Sequence, residues 1–158
     1  MAMAAVHPRI LGFLGRALSL ELSAVQQSMT QASLVELWGE TDAGTRFRQD
    51  TVEELQHSER IVQRMLALGV APAASQLRPV QHAADLVGLL RLNQGLDNEL
   101  IQLYGDAVRF SLLTGDAESA DFFRALWNEE QQHALDLASW LESLRSSVHD
   151  RRYERAFF

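Results

Sequence analysis

The sequence contains one five-residue motif twice, as Glu53-Glu54-Leu55-Gln56-His57 and as Glu129-Glu130-Gln131-Gln132-His133. In each copy the second glutamate and the histidine are three residues apart, so on an α-helix their side chains point from one face over adjacent turns. A carboxylate and an imidazole at this spacing can bind the same metal ion. The repeat therefore predicts two helices that present metal ligands.

An acidic residue precedes each copy of the motif at the same distance. Glu21 comes 33 positions before Glu54, and Asp97 comes 33 positions before Glu130. A single glutamate or histidine on an apolar face is more often an acid whose head reaches water, or a buried histidine satisfied by an acid. The repetition favours a metal site over these alternatives, with six candidate ligands: Glu21, Glu54, His57, Asp97, Glu130 and His133.

Composition favours an all-α fold in a single domain covering residues 1–158. The chain has 158 residues, of which 47% are hydrophobic, and this length is sufficient for a full core. Its three prolines lie between residues 8 and 79, and the long stretches without proline are rich in strong helix formers. Because there is no cysteine, the sequence excludes disulfides and thiolate ligands. A bound metal would have oxygen and nitrogen ligands.

The net charge of −7 favours cations as partners. The only basic cluster is the short tail Arg151, Arg152 and Arg155, so we expect no nucleic-acid partner. The first residues lack the basic segment of a signal peptide, and no stretch approaches the roughly 20 apolar residues of a membrane span. These features predict a cytoplasmic protein that does not enter a membrane.

Apolar residues at three- and four-residue steps predict four helices, over about 8–38, 45–68, 83–113 and 117–144. The bundle thus covers about 8–145 and leaves a tail at 146–158. Gly69 to about His82 forms a connector of some dozen residues, which can extend roughly 40 Å. Because this is a helix length, we expect helices two and three to be parallel and joined by one long crossover.

The candidate ligands should lie at one level of this bundle. The midpoint between Glu21 and the first Glu-x-x-His pair falls near residue 38, and the corresponding midpoint in the second half falls near residue 114. Both are turns between antiparallel helices, so each acid is level with its pair. Buried carboxylates without partners are costly, and four of them require cations. One acid from each of two helices plus Glu-x-x-His from each of the others is the di-iron or di-manganese arrangement, and zinc can also enter such a site.

With these residues the chain resembles the bacterioferritins, an iron-storage branch of the ferritin-like family, over about residues 10–145. Further matching segments are Glu21-Leu-Ser-Ala-Val-Gln-Gln, Trp38-Gly39, the Gly69 to Pro72 connector and Gly115-Asp116. The resemblance implies Glu21 and Asp97 as outer ligands, His57 and His133 as nitrogen ligands, and Glu54 and Glu130 as carboxylates that bridge two irons. It also implies a homo-oligomer, at least a dimer and at the largest a hollow 24-subunit shell.

The chain departs from the family pattern at three positions. Asp97 replaces a glutamate, so its carboxylate lies one methylene further from its iron, and one iron is expected to bind weakly. Ser28 replaces a tyrosine near the metal pair, for which Tyr104 is a partial substitute. Leu55 replaces the methionine that ligates haem across the subunit two-fold axis, so we expect no haem. The tail Arg151 to Phe158 is either a short fifth helix at an oligomer contact or a frayed end.

The resemblance implies an iron-oxidising storage protein, in which Glu54 and Glu130 hold two ferrous ions that dioxygen or peroxide oxidises. Two alternatives remain open. In one, the substitutions at the site mark a slow or non-catalytic subunit of a mixed shell. In the other, the chain is a di-iron peroxidase similar to rubrerythrin, although the cysteine-rich iron domain of that family is absent from this sequence.

Overall fold

The computed structural model describes residues 5–156 and contains four α-helices, α1 (Pro8–Leu37), α2 (Thr41–Ala67), α3 (Leu86–Leu113) and α4 (Ala117–Ala156). α1 pairs with α2, α3 pairs with α4, and α1 also packs against α3. Short turns make each pair antiparallel, whereas residues 68–85 join α2 to α3 without helix or strand. The predicted all-α bundle with one long crossover is confirmed.

Two helix boundaries differ from the prediction. α2 begins at Thr41, so Gly44 lies inside the helix and not in a turn. Glycine at this position lets α2 pack closely against α1, because a Cβ on Gly44 would lie 2.7 Å from Glu36 Cγ. α4 continues to Ala156 instead of ending near residue 144, since no glycine or proline follows Gly115. Within the described residues the tail therefore extends α4 and forms no separate fifth helix; residues 157 and 158 lie outside them.

Each helix contributes residues to two separate apolar clusters. The larger cluster contains Ile10 to Leu20 of α1, Ile61 and Met65 of α2, Leu100 to Val108 of α3, and Phe123 and Leu126 of α4. The smaller cluster lies beyond the candidate ligands on every helix and contains Ala32, Val35, Ala43, Phe47, Leu89, Leu90 and Leu137. The candidate ligands occupy the buried layer between the two clusters.

The connector is fixed to α1 by a ladder of polar side chains. Ser19, Ser23 and Gln27 lie four residues apart on α1 and accept hydrogen bonds from the backbone N–H groups of residues 76, 78 and 81. The donor–acceptor distances are 3.2, 3.0 and 3.0 Å. Because an extended segment has no helical partners for its own N–H groups, this ladder supplies them.

None of the helices is long and apolar enough to cross a membrane, within residues 5–156.

Candidate metal centre

All six candidate ligands point into the layer between the apolar clusters. Glu21, Asp97 and Glu130 are at most 4% exposed, and Glu54 is 9% exposed. The two histidines are half-buried, with 12% and 21% of their side chains exposed for His57 and His133. Residues predicted to be level are in contact, since His57 Nδ1 lies 3.4 Å from Glu21 Oε1 and His133 Nδ1 lies 3.1 Å from Asp97 Oδ2.

The contacts form two overlapping groups that share one carboxylate. Glu21, His57 and Glu130 present ligand atoms that all lie within 4.8 Å of one another, and so do Asp97, Glu130 and His133. Within the first group, His57 Nδ1 is 3.0 Å from Glu130 Oε1. Because Glu130 belongs to both groups, its position suits a carboxylate that bridges two cations.

Glu54 lies outside these two groups, although it is buried and lines a cavity between α2 and α4 that His57, Glu130 and His133 also line. Its Oε2 accepts a hydrogen bond of 2.8 Å from the hydroxyl of Ser28, which is also buried. One oxygen of this carboxylate is therefore paired with α1. The structure thus brings five of the six predicted residues into the two groups and places the sixth beside them.

Burial raises the pKa values of the acids in this layer. Removal from water raises the pKa of Glu54 well above its ordinary value, an effect that the Ser28 hydrogen bond opposes. It raises the pKa of Glu130 to about 8, against the opposing hydrogen bond from His57. Burial also raises the pKa of Asp97, and the contact with His133 opposes this shift. The acids are therefore in an environment that disfavours their negative charge unless a cation is close.

The pKa values of the two histidines are also raised, but by their contacts with acids and against the effect of burial. Burial by itself lowers the pKa of His57, but its contacts with Glu130 and Glu21 outweigh this effect and raise the pKa to about 10. For His133, the contacts with Asp50 and Asp97 outweigh burial and raise the pKa to about 12. Protonated imidazolium groups thus balance the acids, and a metal ion would replace these protons.

The residues fit one or two divalent cations. Two buried carboxylate oxygens, Glu21 Oε2 and Asp97 Oδ2, have no hydrogen-bond donor, and the 3.1 Å contact of Asp97 with His133 lacks the alignment of a hydrogen bond. Buried unpaired carboxylate oxygens are costly, and a cation would satisfy them. A cavity of about 670 Å³ between α2 and α4 is lined by the other four candidate ligands, Glu54, His57, Glu130 and His133, and most of its lining groups are acidic or amide side chains. Oxygen and imidazole donors suit iron, manganese and zinc.

Sequence reasoning missed several contacts of the centre. His57 Nε2 lies 2.8 Å from Glu129 Oε2, and His133 Nε2 lies 3.4 Å from Asp50 Oδ1. Glu129 is the first residue of its motif copy, and Asp50 is one turn before Glu54, so spacing placed both near the motif but did not specify which histidine each one contacts. Tyr104, which the sequence suggested as a partial substitute for the missing tyrosine, donates a 2.6 Å hydrogen bond to Glu21 Oε1. Burial and the nearby Glu21 raise the pKa of this tyrosine well above its ordinary value.

Comparison with known proteins agrees with the all-α bundle. The family described as Ferritin-like domain matches residues 12–147. The bacterioferritin of Rhodobacter capsulatus is 27% identical over 149 residues, which cover 94% of this chain and 89% of the relative. The bacterioferritin of Brucella melitensis biotype 1 is 24% identical, over 93% of this chain and 91% of the relative.

A solved structure is also similar. The structure of Rhodobacter capsulatus bacterioferritin, described as having a metal-free dinuclear site and a haem iron, superposes with a TM-score of 0.84 at 26% identity. The match covers 94% of this chain and 89% of that one. The fold and the family match over residues 12–147 agree, and the chain belongs to the ferritin-like family.

Proposed function

We propose that the chain binds two ferrous ions per subunit at Glu21, Glu54, His57, Asp97, Glu130 and His133, oxidises them and contributes to iron storage or detoxification. The observation that carries this proposal is the shared position of Glu130 in both ligand groups. Ferrous iron is the substrate, and manganese or zinc can compete for the same donors.

The residues have distinct roles in this reaction. Glu21 and His57 bind one ion, Asp97 and His133 bind the other, and Glu54 and Glu130 hold the two ions close enough to share an oxidant. Each ferrous ion gives up one electron. Two electrons and two protons reduce one dioxygen to hydrogen peroxide, or one hydrogen peroxide to two waters.

The strength of metal binding at Asp97 distinguishes this function from that of a slow structural subunit in a mixed shell. The aspartate carboxylate is one methylene shorter than a glutamate carboxylate and already contacts His133. We therefore propose that the ion beside His133 binds more weakly than the ion beside His57. An Asp97→Glu variant should increase the occupancy of that position.

Stopped-flow oxidation of added ferrous iron tests the proposal. The natural chain should oxidise iron faster than buffer, Glu54→Ala should abolish the fast phase, and Asp97→Glu should increase its amplitude. Anomalous diffraction at the iron edge, after anaerobic loading, should give up to two peaks between the acids. If the natural chain is no faster than buffer and Asp97→Glu restores the rate, the structural-subunit function is correct. A fast rate that survives Glu54→Ala would place the chemistry elsewhere.

We also propose that the chain assembles at least as a dimer, and that its similarity to bacterioferritins extends to a hollow 24-subunit shell. Storage requires such a compartment for the ferric product. Analytical ultracentrifugation at micromolar concentration measures the assembly directly. A monomer at that concentration would contradict the storage function but leave iron oxidation intact.

A further inference from the structure

The first glutamates of the two motif copies, Glu53 and Glu129, occupy equivalent sequence positions but make different contacts. Glu129 Oε2 lies 2.8 Å from His57 Nε2, on the edge of the ring opposite the nitrogen that faces Glu130. Glu53 instead accepts a hydrogen bond of 3.3 Å from Gln49 of its own helix. Both residues line the mouth of the same cavity. The internal repeat is therefore broken at the residue that contacts a histidine.

An arginine holds Glu129 in this position. Arg60 Nη1 donates a hydrogen bond of 2.6 Å to the same Oε2 atom that contacts His57. His57 and Arg60 are three residues apart on one face of α2, whereas Glu129 comes from α4. Because Arg60 and Glu129 are 36% and 47% exposed, an ion pair of this kind adds little to stability. Its consequence is to fix the orientation of the carboxylate at the ring.

The other histidine is held less closely. His133 Nε2 lies 3.4 Å from Asp50 Oδ1, and no arginine forms an ion pair with Asp50 among the described residues. The two imidazoles, equivalent in the motif, thus differ in how firmly their outer nitrogens are held.

We propose that Glu129, held by Arg60, is a positioning residue that fixes the His57 ring with Nδ1 toward Glu21 and Glu130, and that the metal position beside His57 is therefore the tighter of the two. This inference rests on the proposed function for the role of Nδ1 as a ligand. A carboxylate beside the outer nitrogen retains the proton there and leaves the inner nitrogen free for a metal. Loss of such a partner typically weakens metal binding by about 10- to 100-fold.

Cobalt(II), which is stable to air at neutral pH, serves as the metal probe in calorimetric and visible-absorption titrations. Glu129→Ala should weaken the tighter of the two cobalt sites by about 10- to 100-fold. Glu53→Ala removes the same charge from the same mouth without touching a histidine, and should weaken cobalt binding much less than Glu129→Ala does. Equal effects of the two substitutions would show that only the charge of the mouth matters and would overturn the proposal.

Arg60→Gln provides a second, sharper variant. Removing a positive charge from an acidic mouth should by itself strengthen cation binding. Weaker cobalt binding by Arg60→Gln would therefore come from the loss of positioning, and the Glu129→Ala/Arg60→Gln double variant should show no further loss. Stronger cobalt binding by Arg60→Gln would contradict the proposal. This test remains available even if the Glu129→Ala variant does not fold.

Imidazole nitrogen NMR in chelator-treated protein supplies a readout that needs no metal. Glu129→Ala should shift and broaden the Nε2 signal of His57 while the signals of His133 remain in place, with circular dichroism confirming the fold. Unchanged His57 signals together with unchanged cobalt affinities would overturn the positioning role. If the natural chain binds neither cobalt nor iron, but Glu129→Ala still moves the His57 signals, the proposed function fails and the positioning role remains.

Discussion

Ser28 stabilises the candidate centre through a single hydroxyl. Its hydrogen bond to Glu54 Oε2 is buried, and Ser28→Ala would leave that oxygen without a donor. We expect a loss of about 1–3 kcal/mol in the free energy of unfolding of metal-free protein, measured with denaturant. Ser58→Ala is the matched control, because the Ser58 hydroxyl is equally buried but bonds the backbone carbonyl of Glu54. Equal losses in the two variants would contradict a specific role for Ser28.

We expect Leu55 to determine whether this chain retains haem. Its side chain is 52% exposed on α2 and has no donor atom for iron. Reconstituted natural protein should therefore lack the spectrum of a haem with two thioether ligands, and Leu55→Met should increase haem retention if the dimer resembles that of the family. Val52→Met places a thioether about one turn away on the same helix and should not do so. Strong haem binding by the natural chain would require a different ligand.

At the residue scale, the sequence predicted the positions of the candidate ligands better than it predicted their supporting contacts. Helical spacing and the equal offsets of Glu21 and Asp97 are local properties, so all six residues could be placed in one layer. The Glu129 contact with His57 depends on the distance between α2 and α4, which no periodicity specifies. Ser28 was expected near the metal pair, but its hydrogen bond to Glu54 joins residues 26 positions apart and is evident only in the folded chain.

The connector is the element whose position depends most on side chains. Ser23 both donates to its own helix, at Ser19 O, and accepts from the backbone N–H of Arg78. Ser23→Ala should therefore accelerate amide hydrogen exchange at Arg78 and reduce the free energy of unfolding by about 1 kcal/mol. Thr30→Ala is the control, since Thr30 likewise bonds the carbonyl four residues earlier but does not touch the connector. Equal exchange rates at Arg78 in the two variants would contradict this role of Ser23.

Helix boundaries could be predicted from the sequence only where a local capping or turn signal marks them. The start of α3 follows an Asp85 cap that accepts from Gly88 N, and the ends of α2 and α3 precede Gly69 and Gly115, both with positive φ. These boundaries have local signals and were predicted to within a few residues. The end of α4 has no such signal, because helix-forming residues continue through the tail and the apolar stripe alone suggested an earlier stop.

Across the whole molecule, stability should depend on pH in a definite direction. Burial raises the pKa of Glu130 from 4.5 to about 8, and the acids around His57, outweighing burial, raise its pKa from 6.5 to about 10. Between each pair of values the folded chain keeps a proton that the unfolded chain has released. The free energy of unfolding must therefore fall as pH rises through these windows.

Calorimetry of metal-free protein between pH 6 and pH 9 should thus show a falling Tm. Cobalt(II) displaces the same protons, so its affinity should increase with pH and the Tm difference between loaded and metal-free protein should widen. Glu130→Gln removes one of these titrating groups and should flatten part of the slope. A Tm of metal-free protein that is constant or rises across this range would contradict the protonation states inferred here.

The division of the core into two apolar clusters has an evolutionary consequence. Every helix is anchored on both sides of the polar layer, so the packing that maintains the bundle is supplied almost entirely by residues that bind nothing. Natural selection can therefore change the ligands without dismantling the fold. A lineage can change from glutamate to aspartate at one position, or lose the candidate metal ligands altogether, and still inherit the same scaffold for another purpose.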